Sequence, residues 1–347
     1  MTYKDDLDIN TAPTQYDEAE IVIEIKPFGK ACDPFQDPPI EDGDEDDQSV
    51  EGDDAGAKKT DPPTFFDARS MSRTQCRGQI AYYANMILAR QHRTHCFVIW
   101  IGGPWARLIR VDRDGGIVSA RFDYRKRSDL LLEFLWRYST ASESSKGKDP
   151  SVRRANPAES ALAREKLSRW KPREDKFRTV YEMTIQDAPD DEDTRPAPLV
   201  PRRKTIQVLV WAPFAEPESV RGRATRVYPG YDAVSKEIVL VKDAWRPLSS
   251  DIQKETETLR ILKDASVRNV PILLCGDDIQ GEWQQTVTHT YSKEPWNIGG
   301  VASTFQRRHH IRFVTDKVGF PLGSFSSSKI LVKAVRDALI GKSIRST

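Results

Sequence analysis

The sequence has few of the residues that build metal and disulfide sites. Its four cysteines are scattered without a C-x-x-C pair, and its five histidines form no H-E-x-x-H pattern. These absences argue against a structural zinc site, a disulfide framework and a zinc-hydrolase motif. They favour a reducing, intracellular compartment, either the cytoplasm or the nucleus.

Long apolar runs and an excess of one charge are also missing. The longest apolar stretches, around Phe97–Ile101 and Ile272–Cys275, have the length of a strand, far short of the roughly 20 residues that cross a bilayer. The start of the chain carries no apolar signal region. The 53 basic and 52 acidic residues leave a net charge of +1. Neither a membrane nor a nucleic acid is therefore indicated as a partner, and protein partners cannot be read from the sequence.

Composition divides the chain into ordered and polar segments. Only 38% of the residues are hydrophobic and 22 are prolines, so ordered domains are expected to alternate with disordered stretches. The acidic stretch after residue 36 lacks the ligand order of an EF-hand, and a calcium site is not predicted there. The predicted segments are a disordered tail (1–19), a small α/β domain (20–138) with a disordered acidic loop (37–63), a polar linker with a short helix (139–176), a second ordered region (177–322) with a proline-rich loop (186–203), and the start of a further unit (323–347).

The first ordered region alternates strands and helices. Apolar alternation predicts a strand over Ile21–Lys26, and apolar residues at helical spacing predict a helix over Gln75–Gln91. The elements that follow are a buried strand, two hairpin strands and a helix: Cys96–Ile101, Ala106–Asp112, Ile117–Phe122 and Leu130–Tyr138.

The second ordered region is organised around one lysine and one glutamate. An apolar strand over Ile238–Trp245 carries Lys242, and Glu255 follows near the start of a predicted helix over Ile252–Leu262. A lysine on a strand that faces a glutamate on the next helix is the arrangement with which protein kinases hold the phosphates of ATP. The other predicted elements are four strands, Phe177–Ile185, Thr205–Val210, Val270–Cys275 and Arg308–Thr315, and a last helix over Ser326–Ile340 that has Ser326 as its N-cap.

Several stretches, taken in order, resemble the fungal-type protein kinase family of basidiomycete and related fungi. Their order and spread over roughly Glu20 to Gly341 carry the resemblance, and no single motif decides it. The stretches are Gly222–Arg226, Val241–Arg246, Glu255–Leu259 and Arg308–Arg312 with Gly319–Leu322, and upstream Gln91–Thr94, Arg107–Arg113 and Phe122–Tyr124.

This resemblance implies an α+β fold in which a protein-kinase-like small lobe and the first large-lobe helices follow the small α/β domain. It implies that Lys242 contacts the α- and β-phosphates of ATP and that Glu255 positions the lysine. Glu257 is the alternative partner, although it faces another side of the helix. The Gly222–Thr225 turn would lie over the phosphates, and backbone near Lys317–Gly319 would form the hinge that meets adenine. ATP and Mg²⁺ are the implied cofactors.

The sequence departs from the kinase pattern in three ways. The turn has one glycine where a kinase loop has three, and Leu240 stands where kinases have a small alanine. The chain contains neither H-R-D-x-x-x-x-N nor D-F-G, the segments that supply the catalytic Asp and the metal ligands. We therefore predict a kinase-like protein, truncated before the catalytic loop, that lacks phosphotransferase activity alone and retains at most weak ATP binding, as in a pseudokinase.

Two other interpretations stay open. Glu24 and Lys26 on a strand, followed by Gln79 and Tyr83 on a helix, are similar to RecB-like nucleases of the PD-(D/E)xK type, in which the Glu holds a divalent metal. The metal-binding Asp of a preceding strand has no counterpart here, so an inactive remnant is included in this interpretation. A non-catalytic interaction module or an incomplete gene product is the third.

Overall fold

The computed structural model describes residues 16–27, 32–37, 70–170, 178–187, 203–214, 216–249, 251–297, 305–320 and 322–343. Within them the chain forms two β-sheets and five α-helices, which confirms the predicted α+β class. The predicted disordered tail, acidic loop and proline-rich loop lie mostly outside these residues. None of the helices in the described part is long and apolar enough to cross a membrane.

The first sheet packs against a long helix. β1 (Val22–Lys26) pairs in parallel with β2 (His95–Gly102), and α1 (Met71–Arg90) lies in the crossover between them, as a parallel pair requires. One side of α1 is buried through apolar residues at helical spacing, including Ile80, Ala84 and Ile87. The remaining elements complete this unit: β3 (Trp105–Asp112), β4 (Gly116–Val118), β5 (Phe122–Asp123) and α2 (Ser128–Thr140).

The second sheet has seven antiparallel strands in the order β11-β12-β10-β9-β8-β7-β6. Two helices pack on it: α3 through Ala163 and Leu167, and α4 through Leu259. Its strands are β6 (Val152–Arg154), β7 (Tyr181–Gln186), β8 (Thr205–Val210), β9 (Arg226–Asp232), β10 (Glu237–Pro247), β11 (Leu273–Asp278) and β12 (Arg308–Thr315), and its helices are α3 (Pro157–Lys166), α4 (Glu255–Asp264) and α5 (Ser328–Ser343).

This sheet curls until the edge strand β11 approaches β7, the strand next to the other edge. Cys275 on β11 lies with its Sγ 3.4 Å from the carbonyl oxygen of Ile185 on β7, although four strands separate β11 from β7 in the sheet. The enclosed core is apolar and includes Met183, Val208 and Val241, each with no exposed surface. The curl therefore gives the sheet an inner face and an outer face with different surroundings.

The structure differs from the sequence prediction in the segment that precedes β7. Residues 139–170, predicted as a polar linker with a short helix, supply β6 to the sheet edge and α3 to its outer face. β6 has three residues, two of them exposed arginines, so its sequence carries no strand pattern. Residues 16–19 also differ from the predicted tail, since Ala19 is buried and Tyr16 packs on the first core, the apolar cluster between the first sheet and α1. The last helix begins at Ser328, two residues beyond the predicted cap Ser326.

A buried cluster of charges joins the two sheets. Asp243 on β10 accepts a hydrogen bond of 2.7 Å from Arg226 on β9, and Arg312 Nη2 on β12 lies 3.5 Å from the same carboxylate oxygen. His310 contacts the other oxygen of Asp243. Arg226 also reaches the carbonyl oxygens of Leu88, Ala89 and Gln91 at the end of α1.

The same cluster fixes the chain just before β6. Arg312 donates a hydrogen bond of 2.8 Å to Asp149 and another of 2.7 Å to the hydroxyl of Ser151. Burial alone would raise the pKa of Asp243, but the charges of Arg312, Arg226 and His310 hold it well below its usual range. The carboxylate is therefore ionised at every pH at which the protein is expected to fold.

We predict that Asp243→Asn destabilises the protein by about 3–5 kcal/mol, because it leaves the buried guanidinium of Arg226 without its counter-charge and leaves Arg312 with Asp149 alone. Urea denaturation followed by circular dichroism measures this difference. Asp129→Asn is the matched control, since Asp129 pairs with Arg127 at 2.8 Å on an exposed surface and should matter little. Equal stability of Asp243→Asn and its parent would contradict the assignment.

We also predict that stability decreases as the pH falls below about 6.5. Burial and the charge of Arg226 lower the pKa of His92 to about 3, and burial and the charge of Arg110 lower that of His95 to about 3. The unfolded chain protonates both near pH 6.5 while the folded chain does not, so the unfolded state binds more protons between pH 6.5 and 3. The pKa of His309 is lowered as well, which adds to the same trend.

The expected loss between pH 6.5 and 5 is about 1–2 kcal/mol for each of His92 and His95. Urea titrations at pH 7.5, 6 and 5 measure it, and the double variant His92→Gln/His95→Gln should flatten the profile. If the double variant kept the slope of the parent, these two histidines would not be its source.

Candidate functional site

Side chains along β10 alternate between the outer and the inner face of the sheet. Leu240, Lys242 and Ala244 lie on the outer face, whereas Val241 and Asp243 lie on the inner face. β12 repeats this division, because Phe313 is the register partner of Lys242. The outer face of β10 therefore presents a lysine beside half-buried apolar residues.

Lys242 is bound to Glu255 at the start of α4. Its Nζ lies 2.7 Å from Glu255 Oε1 and 2.6 Å from Oε2. The N-terminal turn of a helix favours a carboxylate, because the helix dipole is positive there. α4 is itself fixed by Leu259, which packs on the outer face, and by Arg260, which binds Asp277 on β11 at 2.9 Å. The pair is only partly buried, with side-chain exposures of 22% and 40%.

Glu257, the alternative partner, lies elsewhere. It lines an open groove with Arg246 and Lys254. The structure thus brings Lys242 together with Glu255 and not with Glu257, as the helical spacing of the two glutamates requires.

An apolar surface lies next to Lys242 on the same face. The register partner of Lys242 on β9 is Val227, and both Val227 and Leu240 are half-buried. The Phe313 ring centroid lies 5.9 Å from Lys242 Nζ. The lysine therefore stands at the edge of an accessible apolar strip rather than in isolation.

The Gly222–Thr225 turn lies directly before β9, in the connection from β8. The N–H of Gly222 donates to the carbonyl of Arg113 at 3.1 Å, and the carbonyl of Arg223 accepts from the N–H of Trp245 at 2.7 Å. Gly222 has φ +126° and Ala224 has φ +43°, so the backbone is left-handed on both sides of Arg223. Thr225 is half-buried beside β9.

The sequence did not single out Arg223. Its Nη2 lies 3.8 Å from Glu255 Oε2, and its side chain is 62% exposed. The turn thus delivers a second cation to the carboxylate that holds Lys242. The one sequence signal for this role of Arg223 was the glycine directly before it, and a single sequence does not show that this glycine has a positive φ.

The segment that the resemblance implies as the hinge follows β12. Asp316 continues the pairing with β11, since its N–H donates to the carbonyl of Ile272 at 3.1 Å. Lys317–Gly319 come next, and Phe320 stacks on Trp170 with ring centroids 4.5 Å apart. Trp170 ends the segment after α3, which sequence analysis had placed in a linker.

The implied ion Mg²⁺ finds no ligand set among the described residues. No group of three or more His, Cys, Asp or Glu side chains lies together there in a way that could hold a metal ion. Both oxygens of Glu255 are bonded to Lys242. The described residues therefore do not form a site that would hold Mg²⁺ by protein ligands alone.

The nuclease-like residues partly come together on the first sheet. Lys26 Nζ lies 2.7 Å from Glu24 Oε1 and donates a hydrogen bond of 2.7 Å to Gln79 Oε1 on α1. Tyr83 lies one helical turn further and packs on Tyr16. The hydrogen bond to Glu24 raises the pKa of Lys26, so the lysine stays protonated and cannot accept a proton from water. The RecB-like interpretation is not confirmed.

Comparison with known proteins identifies one family. A family model described as fungal protein kinase matches residues 66–344, which include the whole second sheet and all of the first except β1. No curated protein and no solved structure matches the chain. The match confirms the resemblance that the ordered motifs carry.

We predict that Gly222→Ala lowers stability by about 1–3 kcal/mol, because alanine is strained at φ +126°. A Cβ at Gly222 would meet no atom within 4 Å, so the cost is conformational and not steric. Ala224→Gly should leave stability unchanged or raise it by up to about 1 kcal/mol. Urea denaturation compares both with Gly319→Ala, a position with equally open space and no left-handed φ. If Gly222→Ala and Gly319→Ala changed the free energy of unfolding equally, the positive φ of Gly222 would be contradicted.

Proposed function

Because the chain belongs to the fungal protein kinase family, we propose that the outer face of β10 binds the phosphates of a nucleoside triphosphate, with ATP as the expected ligand. The observation that carries this proposal is the ion pair of Lys242 with both carboxylate oxygens of Glu255. Kinases use such a pair to hold the α- and β-phosphates.

The geometry leaves the lysine available to an anion. An ammonium group carries three N–H donors, and Glu255 accepts two of them. The third donor is left for a phosphate oxygen, and the partial exposure of Lys242 lets a ligand reach it. Glu255 restricts the rotamer of the lysine, so less conformational entropy is lost when the phosphate binds.

The apolar strip beside Lys242 suits the base of the nucleotide. Val227 and Leu240 are half-buried on the same face, and the backbone of Lys317–Gly319 follows the strand whose Thr315 is the register partner of Leu240. A base against Leu240 would thus lie near backbone donors and acceptors of the hinge. Leu240 is larger than the alanine of kinases, which supports weak rather than tight binding.

For this 347-residue sequence we propose nucleotide binding without phosphoryl transfer. The sequence contains neither H-R-D-x-x-x-x-N nor D-F-G, and the described residues contain no group of three or more His, Cys, Asp or Glu that could hold a metal ion. Phosphoryl transfer depends on metal ions that neutralise the charge developing between the β- and γ-phosphates. The residues of this protein therefore bind and orient the nucleotide and do not transfer its γ-phosphate.

We predict that ATP and ADP raise the melting temperature of the protein and that Lys242→Ala weakens ATP binding at least about tenfold, as loss of a charged hydrogen bond does. Isothermal titration calorimetry gives the dissociation constants. Lys166→Ala is the matched control, because Lys166 also binds a glutamate, at 2.8 Å, but on the exposed side of α3.

Two outcomes would change the proposal. If neither ATP nor ADP bound to the parent protein, nucleotide binding would be abandoned. If labelled γ-phosphate were transferred to the protein or to a generic substrate, and Lys242→Ala abolished that transfer, the binding-only part would be wrong.

A further inference from the structure

An exposed arginine lies beside the ion pair that holds the proposed phosphate-binding lysine. Arg223 Nη2 is 3.8 Å from Glu255 Oε2, whereas Lys242 Nζ is 2.6 Å from the same oxygen. We propose that Arg223 is a second phosphate-binding residue of this site and that its guanidinium replaces the backbone amides of a glycine-rich loop. This inference rests on the proposed nucleotide binding.

The backbone of the turn presents Arg223 in a defined position. Trp245 donates its N–H to the Arg223 carbonyl, and Gly222 donates its N–H to the Arg113 carbonyl. The left-handed φ of Ala224 is uncommon for a residue with a side chain. Strained backbone of this kind persists where the surrounding structure holds it, and it is concentrated at binding sites.

The connection that leads to the turn is attached to the first-sheet unit. Asn85 Nδ2 on α1 donates to the Pro217 carbonyl at 2.9 Å, and Arg113 donates to the Val220 carbonyl at 3.3 Å. The Val220 side chain packs on the first core. A connection fixed at these points is unsuited to fold its backbone over a phosphate, whereas the long side chain of Arg223 is free of such restraint.

The charges around the turn favour an anion. Lys242, Arg223 and Glu255 together carry a net charge of one positive unit. Burial lowers the pKa of Arg308, the charge of Asp114 opposes this, and the charges of Arg221 and Arg223 lower it further, so three arginines lie near one carboxylate on this side of the site. A polyphosphate would relieve this excess, and a guanidinium can bind two phosphate oxygens at once.

A surface ion pair is the simpler role for Arg223, and its geometry makes that pair a weak one. The distance of 3.8 Å to Glu255 is longer than a hydrogen bond, and Glu255 already receives two bonds from Lys242. Exposed pairs of this kind contribute little to stability. Arg223 is therefore weakly held and can turn toward a ligand that Lys242 binds.

Calorimetric titration of the full chain with ATP and with AMP tests the proposal. Arg223→Ala should weaken ATP binding about ten- to a hundredfold, as expected for a charge-assisted contact, and AMP binding clearly less. Arg223→Lys should recover part of the ATP affinity, because it keeps the charge without the fork. Arg137→Ala is the matched control, since Arg137 is exposed and pairs with Glu133 at 2.6 Å on α2.

Comparison with Lys242→Ala distinguishes a failure of the role proposed for Arg223 from a failure of the proposed nucleotide binding. If Lys242→Ala loses ATP while Arg223→Ala binds it within about twofold of the parent, Arg223 is only a surface ion-pair residue and the proposed function stands. If the parent binds no ATP, both proposals fall. Melting temperatures of all variants show whether a lost affinity reflects a lost fold, and Arg223→Lys serves as the second variant in that case.

Discussion

The buried carboxylate of Asp243 is the constraint on which the arrangement of both sheets depends. A charged group removed from water costs several kcal/mol unless it is fully paired. Asp243 obtains its partners from β9 and β12, through Arg226 and Arg312. Each arginine then binds another part of the chain, namely the end of α1 and Asp149. Displacing either sheet would leave several charges unpaired at once.

This constraint also places the candidate site. Lys242 and Asp243 are adjacent on β10, and a strand sends neighbouring side chains to opposite faces. A slip of one residue in the pairing of β10 would bury Lys242 among the apolar core and expose Asp243. The inner charge cluster therefore fixes the register of β10 with its neighbours, and this register places Lys242 on the outer face.

Sequence alone predicts the local part of this site. Lys242 lies on a strand and Glu255 starts the next helix 13 residues later, and the resemblance to protein kinases implied that the two side chains pair. The inner cluster was not predicted, because charged residues within a strand ordinarily indicate a solvent-facing side. Its contacts also join distant segments, such as Arg312 with Asp149 and Arg226 with α1. For the same reason the stacking of Trp170 on Phe320 and the pairing of β6 escaped prediction.

The first-sheet unit contacts the second sheet through buried side chains. Except for β1, both sheets lie within residues 66–344, which the family model matches. α1 binds Arg226 of β9 through its terminal carbonyls, and Asn85 and Arg113 hold the connection that carries Arg223. A nucleotide bound at Lys242 and Arg223 would thus contact residues whose positions depend on the first sheet. The Glu24–Lys26–Gln79 contacts fit this view, because they tie β1 to α1 and so support the helix on which the connection rests.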